Sequence, residues 1–158
     1  MTNEGGLDLI VENEAWLKKV PTLEVLAKVV FEAASLKEPK LKSGAVALFA
    51  DDDRLNALNL QFREKDAPTN VLSFPSDLPP TEPLGDIAIA FETVEHEAND
   101  LGRQFEDHTA HLIVHGLLHL AGYDHGNDDE AKLMEGLETE ILASINITDP
   151  YAIDAGDE

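Results

Sequence analysis

The sequence predicts a single α+β domain, in which a small mixed sheet of four strands packs against about five helices. Its 158 residues are the size of one ordinary domain, and 43% of them are hydrophobic, which is enough for a core. Four short apolar runs have the length of strands, and about five longer segments show helical spacing. Because predicted strands and predicted helices alternate irregularly along the chain, we expect one sheet with helices packed against it. The domain covers residues 1–158, of which 151–158 form an acidic tail.

The predicted strands are short, and turn or proline residues bound them. The first lies in GLDLIVENEA and the fourth is DIAIAFE, and in both of them alternate residues are apolar. In the fourth, this alternation runs as far as Phe91. GAVALFAD and NVLSFP are the second and third strands, and Pro75 ends the third.

The predicted helices have apolar residues on one face. The first helix is TLEVLAKVVFEAASLK, with Thr22 as a possible N-cap, and the second is DRLNALNLQFR. The third covers about 92–102, and the fourth runs from near Glu106 to Ala121. The last begins after Asp128 or Asp129 and contains LETEIL.

Composition excludes several classes of protein. The chain has no cysteine, which rules out disulfides, cysteine-bound zinc and a thiol nucleophile, and which suits a reducing cytoplasm. It has no apolar run of membrane-spanning length and no signal peptide pattern at the N-terminus. We therefore expect a soluble, cytoplasmic protein with no membrane contact.

The net charge of −21 is unevenly divided. Residues 1–70 carry 9 basic and 12 acidic side chains, whereas residues 71–158 carry 2 basic and 20 acidic ones. A field of this sign repels polyanions, which counts against non-specific nucleic-acid binding. The excess is typical of a solubility surface.

Four of the six histidines lie in one apolar segment, HLIVHGLLHLAGYDH. On a helix, His115 and His119 are four residues apart and project from one face, about 6 Å apart along the axis. Gly122 then ends the helix, and the short turn after it brings His125 to the same point. Three neutral imidazoles with an open fourth position are typical of a catalytic zinc site.

His111 is a weaker candidate for a metal ligand. It lies about 12 Å from His119 along the helix axis, too far for both to bind one ion. We therefore assign it to packing or to contacts around the ligands. One Zn²⁺ per chain is expected, although three imidazoles also suit nickel, copper or iron.

The spacing resembles the metzincin signature of zinc proteases, His-Glu-x-x-His-x-x-Gly-x-x-His. Here Gly116 takes the place of the glutamate that would deprotonate the zinc-bound water. Glycine has no side chain to act as a base. The pattern therefore keeps the metal geometry and argues against peptide hydrolysis by that mechanism.

The segment HGLLHLAGYDH also resembles the signature of the YbeY family, which are bacterial zinc-dependent endoribonucleases. A second block, LNLQFREKDAPTNVLSFP at 58–75, is similar to another characteristic stretch of that family. LGDIAIA at 84–90 and LETEIL at 137–142 agree as well. The similarity covers roughly residues 45–151.

This resemblance implies an α+β fold with the metal-bearing helix beside the sheet. It implies metal-dependent, single-strand-specific cleavage of RNA in the maturation of the 3′ end of 16S ribosomal RNA and in ribosome quality control. The implied partners are ribosomal RNA, the small ribosomal subunit and its assembly factors. The resemblance places the metal ligands at His115, His119 and His125, and a functional arginine at Arg63.

The residue types support such a reaction. Zinc held by three histidines supplies hydroxide near neutral pH, and an arginine fork suits the charge that develops on a phosphate. We expect Arg63, in the loop after the second predicted helix, to be catalytic and to bind substrate, and Lys65 to be a weaker phosphate contact. Asp86 is a candidate for orienting a ligand histidine or for a local cap, and Asp124 for a turn residue.

Two other functions remain open at this stage. The chain can be a different zinc hydrolase, such as a metalloprotease-like peptidase or an amidase, although Gly116 speaks against this. It can also be a non-catalytic ribosome-assembly factor with a structural metal. An open coordination position favours an enzyme, and a fourth protein ligand favours a structural site.

Overall fold

A computed structural model describes residues 6–64, 69–76 and 83–147 of the chain. The side chain of Arg63, all of Lys65 and the tail 151–158 lie outside the described residues. None of the described helices is long and apolar enough to cross a membrane.

Within this part the chain forms four strands and six α-helices. The strands are β1 (Leu7–Val11), β2 (Ala45–Ala50), β3 (Val71–Pro75) and β4 (Gly85–Ala90). The helices are α1 (Ala15–Lys19), α2 (Leu23–Lys37), α3 (Asp52–Arg63), α4 (Phe91–Leu101), α5 (Phe105–Leu120) and α6 (Asp128–Ala143), and a 3₁₀ helix covers Pro39–Ser43.

The strands form one mixed sheet in the order β1-β2-β4-β3. β1, β2 and β4 run parallel to one another, whereas β3 runs antiparallel to β4 and forms an edge. The predicted α+β class with a mixed four-stranded sheet is confirmed, with one helix more than the five expected.

The main core lies between one face of the sheet and helices α2, α5 and α6. A smaller cluster lies on the opposite face, where Leu55 of α3 packs with Leu72 and Ala88. The central helix α5 is buried along most of its length, because apolar residues occupy several of its faces. This position puts its histidines beside the sheet.

The additional helix α1 was not predicted, because five residues are too few for a periodic pattern. It is stabilised by Trp16, which is fully buried and whose indole N–H donates to the carbonyl of Ala50 at 2.8 Å. The Trp16 ring packs edge-on against Phe49 and Phe91, with centroids 5.1 and 5.4 Å away.

Two predicted boundaries were wrong for tertiary or capping reasons. Phe91 begins α4 instead of continuing β4, because its ring packs against Trp16 and satisfies the apolar pattern from a helix. The cap of α6 is Asn127 rather than Asp128 or Asp129, since its side-chain oxygen accepts from the backbone N–H of Glu130 at 2.8 Å.

Two smaller details also differ from the sequence analysis. Thr22 does occupy the N-cap position of α2, but its side chain makes no capping hydrogen bond. Arg63 is the last residue of α3, so the loop expected to carry it begins only at Glu64, which has a left-handed φ of 59°.

Helix α5 lies close to the sheet at Gly116. A Cβ atom at this position would lie 2.9 Å from Cγ2 of Ile87 and 3.4 Å from Cγ2 of Val71. Across the same contact, the hydroxyl of Ser73 donates to the Gly116 carbonyl at 3.3 Å. The absence of a side chain therefore lets α5 rest directly on β3 and β4.

We expect Gly116→Ala to lower the free energy of unfolding by about 1–3 kcal/mol, because the methyl group overpacks the contact with Ile87. Gly136→Ala is the matched control, since Gly136 lies in α6, where an added Cβ atom would meet nothing within 4 Å. There, alanine should stabilise the helix by up to about 1 kcal/mol. Urea unfolding of the three proteins measures both effects, and equal losses would contradict the close approach.

Candidate metal centre

The structure brings His115, His119 and His125 together at one point. One ring nitrogen of each lies within 4.8 Å of the others, and the two Nε2 atoms of His115 and His119 are 3.2 Å apart. His115 and His119 come from the last two turns of α5, whereas His125 comes from the segment between α5 and α6 and is about half exposed. The three side chains that their spacing in the sequence predicted to meet therefore do converge.

The end of α5 explains how His125 returns to the pair. Gly122 has a φ of +108°, a left-handed conformation that favours glycine. Its N–H donates to the carbonyl of His119, and the N–H of Tyr123 donates to that of Leu118, both at 3.0 Å. This is a Schellman ending, and it reverses the chain within two residues. Asp124 then accepts from the N–H of His125 at 2.8 Å.

Glu138 of α6 holds His115 in place. Its carboxylate is fully buried, and Oε2 lies 2.7 Å from Nδ1 of His115 while Oε1 lies 2.9 Å from Nε2 of His111. A carboxylate only accepts hydrogen bonds, so Nδ1 of His115 is the donor, and the neutral tautomer with this proton has its lone pair on Nε2. His111 thus contacts the group that orients His115, and burial, opposed by Glu138, lowers the pKa of His111.

His119 is oriented by the turn that follows it. Its Nδ1 donates to the carbonyl of Tyr123 at 3.0 Å, which again leaves Nε2 with the lone pair. Burial, and then repulsion from His115 and His125, lower the pKa of His119 and favour the neutral imidazole at neutral pH. The neutral form is the one that binds a metal.

Tyr123 is itself anchored from a distant part of the chain. Its hydroxyl donates to Oε1 of the buried Glu38 at 2.8 Å, and this hydrogen bond, together with burial, raises the pKa of Tyr123. The carbonyl that orients His119 is therefore tied to the turn after α2. Both helical histidines have their Nδ1 atoms occupied by protein groups, which is typical of metal-binding imidazoles.

The three histidines face an open cleft with a volume of about 620 Å³. Residues of strand β3 and of the segment 122–125 line the same cleft. The lining that the structure describes contains no lysine or arginine. It consists of Thr69, Asn70, Val71, Ser73, Pro75, His115, His119, Gly122, Tyr123, Asp124 and His125.

The donor set fits a divalent metal of the zinc type. Three imidazole nitrogens converge, and no fourth histidine, cysteine, aspartate or glutamate joins the cluster in the described part of the chain. The remaining side opens to the cleft, where a water or a substrate has room to bind.

Comparison with known proteins shows the family of this chain. Residues 10–146 match the model of the family described as endoribonuclease YbeY. The chain belongs to this family. Endoribonuclease YbeY of Chelativorans sp. is 46% identical over 92% of this chain and 93% of its own length, and that of Ruegeria pomeroyi is 44% identical over 94% and 99%. The protein of Agrobacterium fabrum is 43% identical over 92% and 94%.

A solved structure shows the same fold. The solution structure of TM1509 from Thermotoga maritima aligns with 96% of this YbeY-family chain and 97% of its own chain, with a TM-score of 0.58 and 24% identity. At that identity the likeness concerns the fold alone.

One expected role falls on a different residue in this YbeY-family chain. Asp86 is exposed on β4, where it pairs with Val46 and Phe74, and the groups that orient His115 and His119 are Glu138 and the Tyr123 carbonyl. A signal for Glu138 was present in the sequence. It shares the apolar face of α6 with Met134, four residues earlier, and an acid there needs a buried partner.

We expect Glu138→Gln to weaken metal binding by about 10–100-fold, because a neutral amide orients the His115 imidazole less firmly than a carboxylate. Glu140→Gln is the control, since Glu140 lies on the exposed face of the same helix and pairs with Lys37 at 3.6 Å. Competition with a zinc chelator measures the dissociation constant of each protein, and circular dichroism checks the fold. If both variants bound zinc like the parent, Glu138 would have no orienting role.

Proposed function

We propose that this YbeY-family chain is a zinc-dependent endoribonuclease that cleaves single-stranded RNA. Its proposed cellular task is maturation of the 3′ end of 16S ribosomal RNA and ribosome quality control in the cytoplasm. The observation that carries the proposal is the convergence of His115, His119 and His125 on an open cleft in a chain of this family.

The proposed chemistry divides between the metal and the protein. Bound zinc would lower the pKa of a coordinated water to about 7 and polarise a phosphoryl oxygen. The protein holds His115 and His119 in the orientation that exposes Nε2, through Glu138 and Tyr123. Because Gly116 replaces the metzincin glutamate, no base at that position is needed or available.

Arg63 and Lys65 are the proposed cations for the substrate phosphate. Arg63 ends α3, in the segment that leads to Thr69 and Asn70 on the cleft wall. An arginine there matches the charge that builds on the phosphate oxygens, and it is proposed to be both catalytic and substrate-binding. Lys65, two residues further along, is the weaker phosphate contact.

The charge of the chain favours a partner that brings the RNA to the site. Residues 71–158 are strongly acidic, so the long-range field opposes RNA. The small ribosomal subunit and its assembly factors are the proposed partners, since they would present the RNA locally.

The alternative functions have less support. A peptidase of the metzincin type needs a glutamate at position 116, where even a Cβ atom would crowd Ile87 at 2.9 Å. A purely structural metal would favour a fourth protein ligand, and the described cluster holds three.

We expect the zinc-loaded protein to cleave an unstructured RNA, to leave the same sequence intact in a duplex, and to lose activity on chelation. His125→Ala should lose both zinc and cleavage. His96→Ala is its control, since that exposed side chain pairs only with Asp100 at 3.2 Å among the described contacts. Metal analysis and gel-resolved cleavage test this, and cleavage that survives metal removal would contradict the proposal.

We expect Arg63→Ala to keep its zinc and its melting temperature and to lower cleavage, mainly in turnover at saturating RNA, because the guanidinium stabilises the transition state. Arg63→Lys should restore only part of the rate, since an ammonium cannot make the bidentate contact. Arg54→Ala is the control on the same helix, because Arg54 pairs with Glu12 at 3.3 Å. Single-turnover kinetics compare the variants, and equal rates would remove Arg63 from the mechanism.

A further inference from the structure

The outer edge of strand β3 faces the same cleft as the histidines. Among the described residues, β3 is the last strand of the sheet and pairs with β4 on one side only. Three of its residues, Val71, Ser73 and Pro75, line the same cleft as His115 and His119.

The register shows which backbone groups point outward. Next to the paired residues, the N–H of Ala90 donates to Asn70 at 3.0 Å and the N–H of Ser76 donates to Leu84 at 2.7 Å. Bonded and non-bonded pairs alternate in an antiparallel ladder. The even-numbered residues of β3 therefore bond to β4, and the N–H and C=O groups of the odd-numbered ones point away from it.

The odd-numbered residues are the same three that line the cleft. Pro75 agrees with this register, since its missing N–H falls on the side that β4 does not use. In the described part of the chain, no backbone group bonds to the outward groups of Val71 or Ser73. Each of these two residues thus presents one donor and one acceptor to the cleft.

We propose that this outer edge of β3 binds unpaired bases of the RNA substrate through their Watson–Crick edges. The inference rests on the proposed function and gives a reason for its single-strand preference. Each base carries adjacent hydrogen-bonding groups on that edge, which a peptide N–H and C=O complement, and in a duplex the partner base occupies them. Only an unpaired base is free to bind β3.

The composition of the cleft favours this neutral mode of recognition. Its described lining has no lysine or arginine and includes Asp124, so these residues attract a phosphate only weakly and leave phosphate binding to the proposed cations Arg63 and Lys65. A polypeptide strand fits less well, because the edge offers only two N–H groups before Pro75 ends the series of donors. The outward N–H and C=O groups of Val71 can bind one base, and those of Ser73 can bind a second.

Side-chain contacts hold this edge in a fixed position. The amide nitrogen of Asn70 donates to both oxygens of Glu97, at 3.0 and 3.3 Å, and Glu97 lies 2.9 Å from Nε2 of the buried His108. Burial raises the pKa of Glu97, but the bonds from His108 and Asn70 outweigh it and lower the pKa overall. Together with the bond from Ser73 to Gly116, this contact fixes β3 before substrate arrives.

The first test changes the RNA and keeps the protein. Three short oligomers are compared with the zinc-loaded protein: oligouridine, oligo(5-methyluridine) and oligo(3-methyluridine). Only the methyl group at position 3 blocks the Watson–Crick edge, and none of these oligomers forms a duplex with itself. We expect kcat/KM and affinity by fluorescence anisotropy to fall about tenfold for the 3-methyl oligomer, and to stay within about twofold for the 5-methyl one.

The second test changes the strand. Ser73→Pro removes the outward N–H, whereas Ser73→Ala keeps it and loses only the bond to Gly116. We expect Ser73→Ala to keep the preference for 5-methyl over 3-methyl RNA and Ser73→Pro to lose most of it. Melting curves check that each variant folds. If Ser73→Pro does not fold, the comparison of the methylated RNAs on the parent protein tests the proposal by itself.

The outcomes separate the two proposals. Equal cleavage and binding of both methylated RNAs would overturn the role of β3 and leave the endonuclease intact. No cleavage of oligouridine, with zinc shown to be bound, would overturn the proposed function itself. An undiminished preference in a folded Ser73→Pro protein, or inhibition by an unstructured peptide with no effect of the methyl position, would also overturn the base-binding edge.

Discussion

Helix α5 lies so close to the sheet that residue 116 has no room for a side chain, and the site depends on this contact. The approach places the last two turns of α5 beside the edge strand β3, so that two histidines share one cleft with Val71 and Ser73, whose outward peptide groups bond to no backbone group that the structure describes. It also removes the position from which zinc proteases supply their base. Packing and chemistry thus depend on the same glycine.

Buried polar groups fix the orientation of the imidazoles that the packing of α5 brings to the cleft. Glu138 is fully buried, which is costly for a carboxylate without partners, and its two oxygens each meet an imidazole of α5. Glu38 acts on His119 indirectly: it accepts a hydrogen bond from the hydroxyl of Tyr123, and the carbonyl of Tyr123 orients His119. Such contacts link α2 and α6 to the site, and they stabilise one arrangement of the imidazoles.

The third histidine is held differently. His125 is half exposed, and its described contacts are to the neighbouring Asp124 and to the other two imidazoles. A metal ion would therefore bind two oriented nitrogens from a rigid helix and one from a more adaptable turn. Ion binding would close this turn onto α5 and add to the free energy of folding by mass action.

Local spacing in the sequence was enough to predict much of this protein. The four strands, the long helices, the glycine that ends α5 and the convergence of three histidines follow from periods of two and 3.6 residues and from one turn, all within short stretches of chain. The resemblance to a known family came from equally local motifs.

Only the tertiary structure decided which groups meet across the chain. Glu138 reaches His115 from 23 residues away and Glu38 reaches Tyr123 from 85, and no spacing rule relates such pairs. Phe91 fits the alternation of a strand, since an apolar residue suits either element, but its contact with Trp16 draws it into a helix. The outward register of β3 likewise depends on its pairing with β4, because a strand's own pattern shows its two faces but leaves open which edge it offers to solvent.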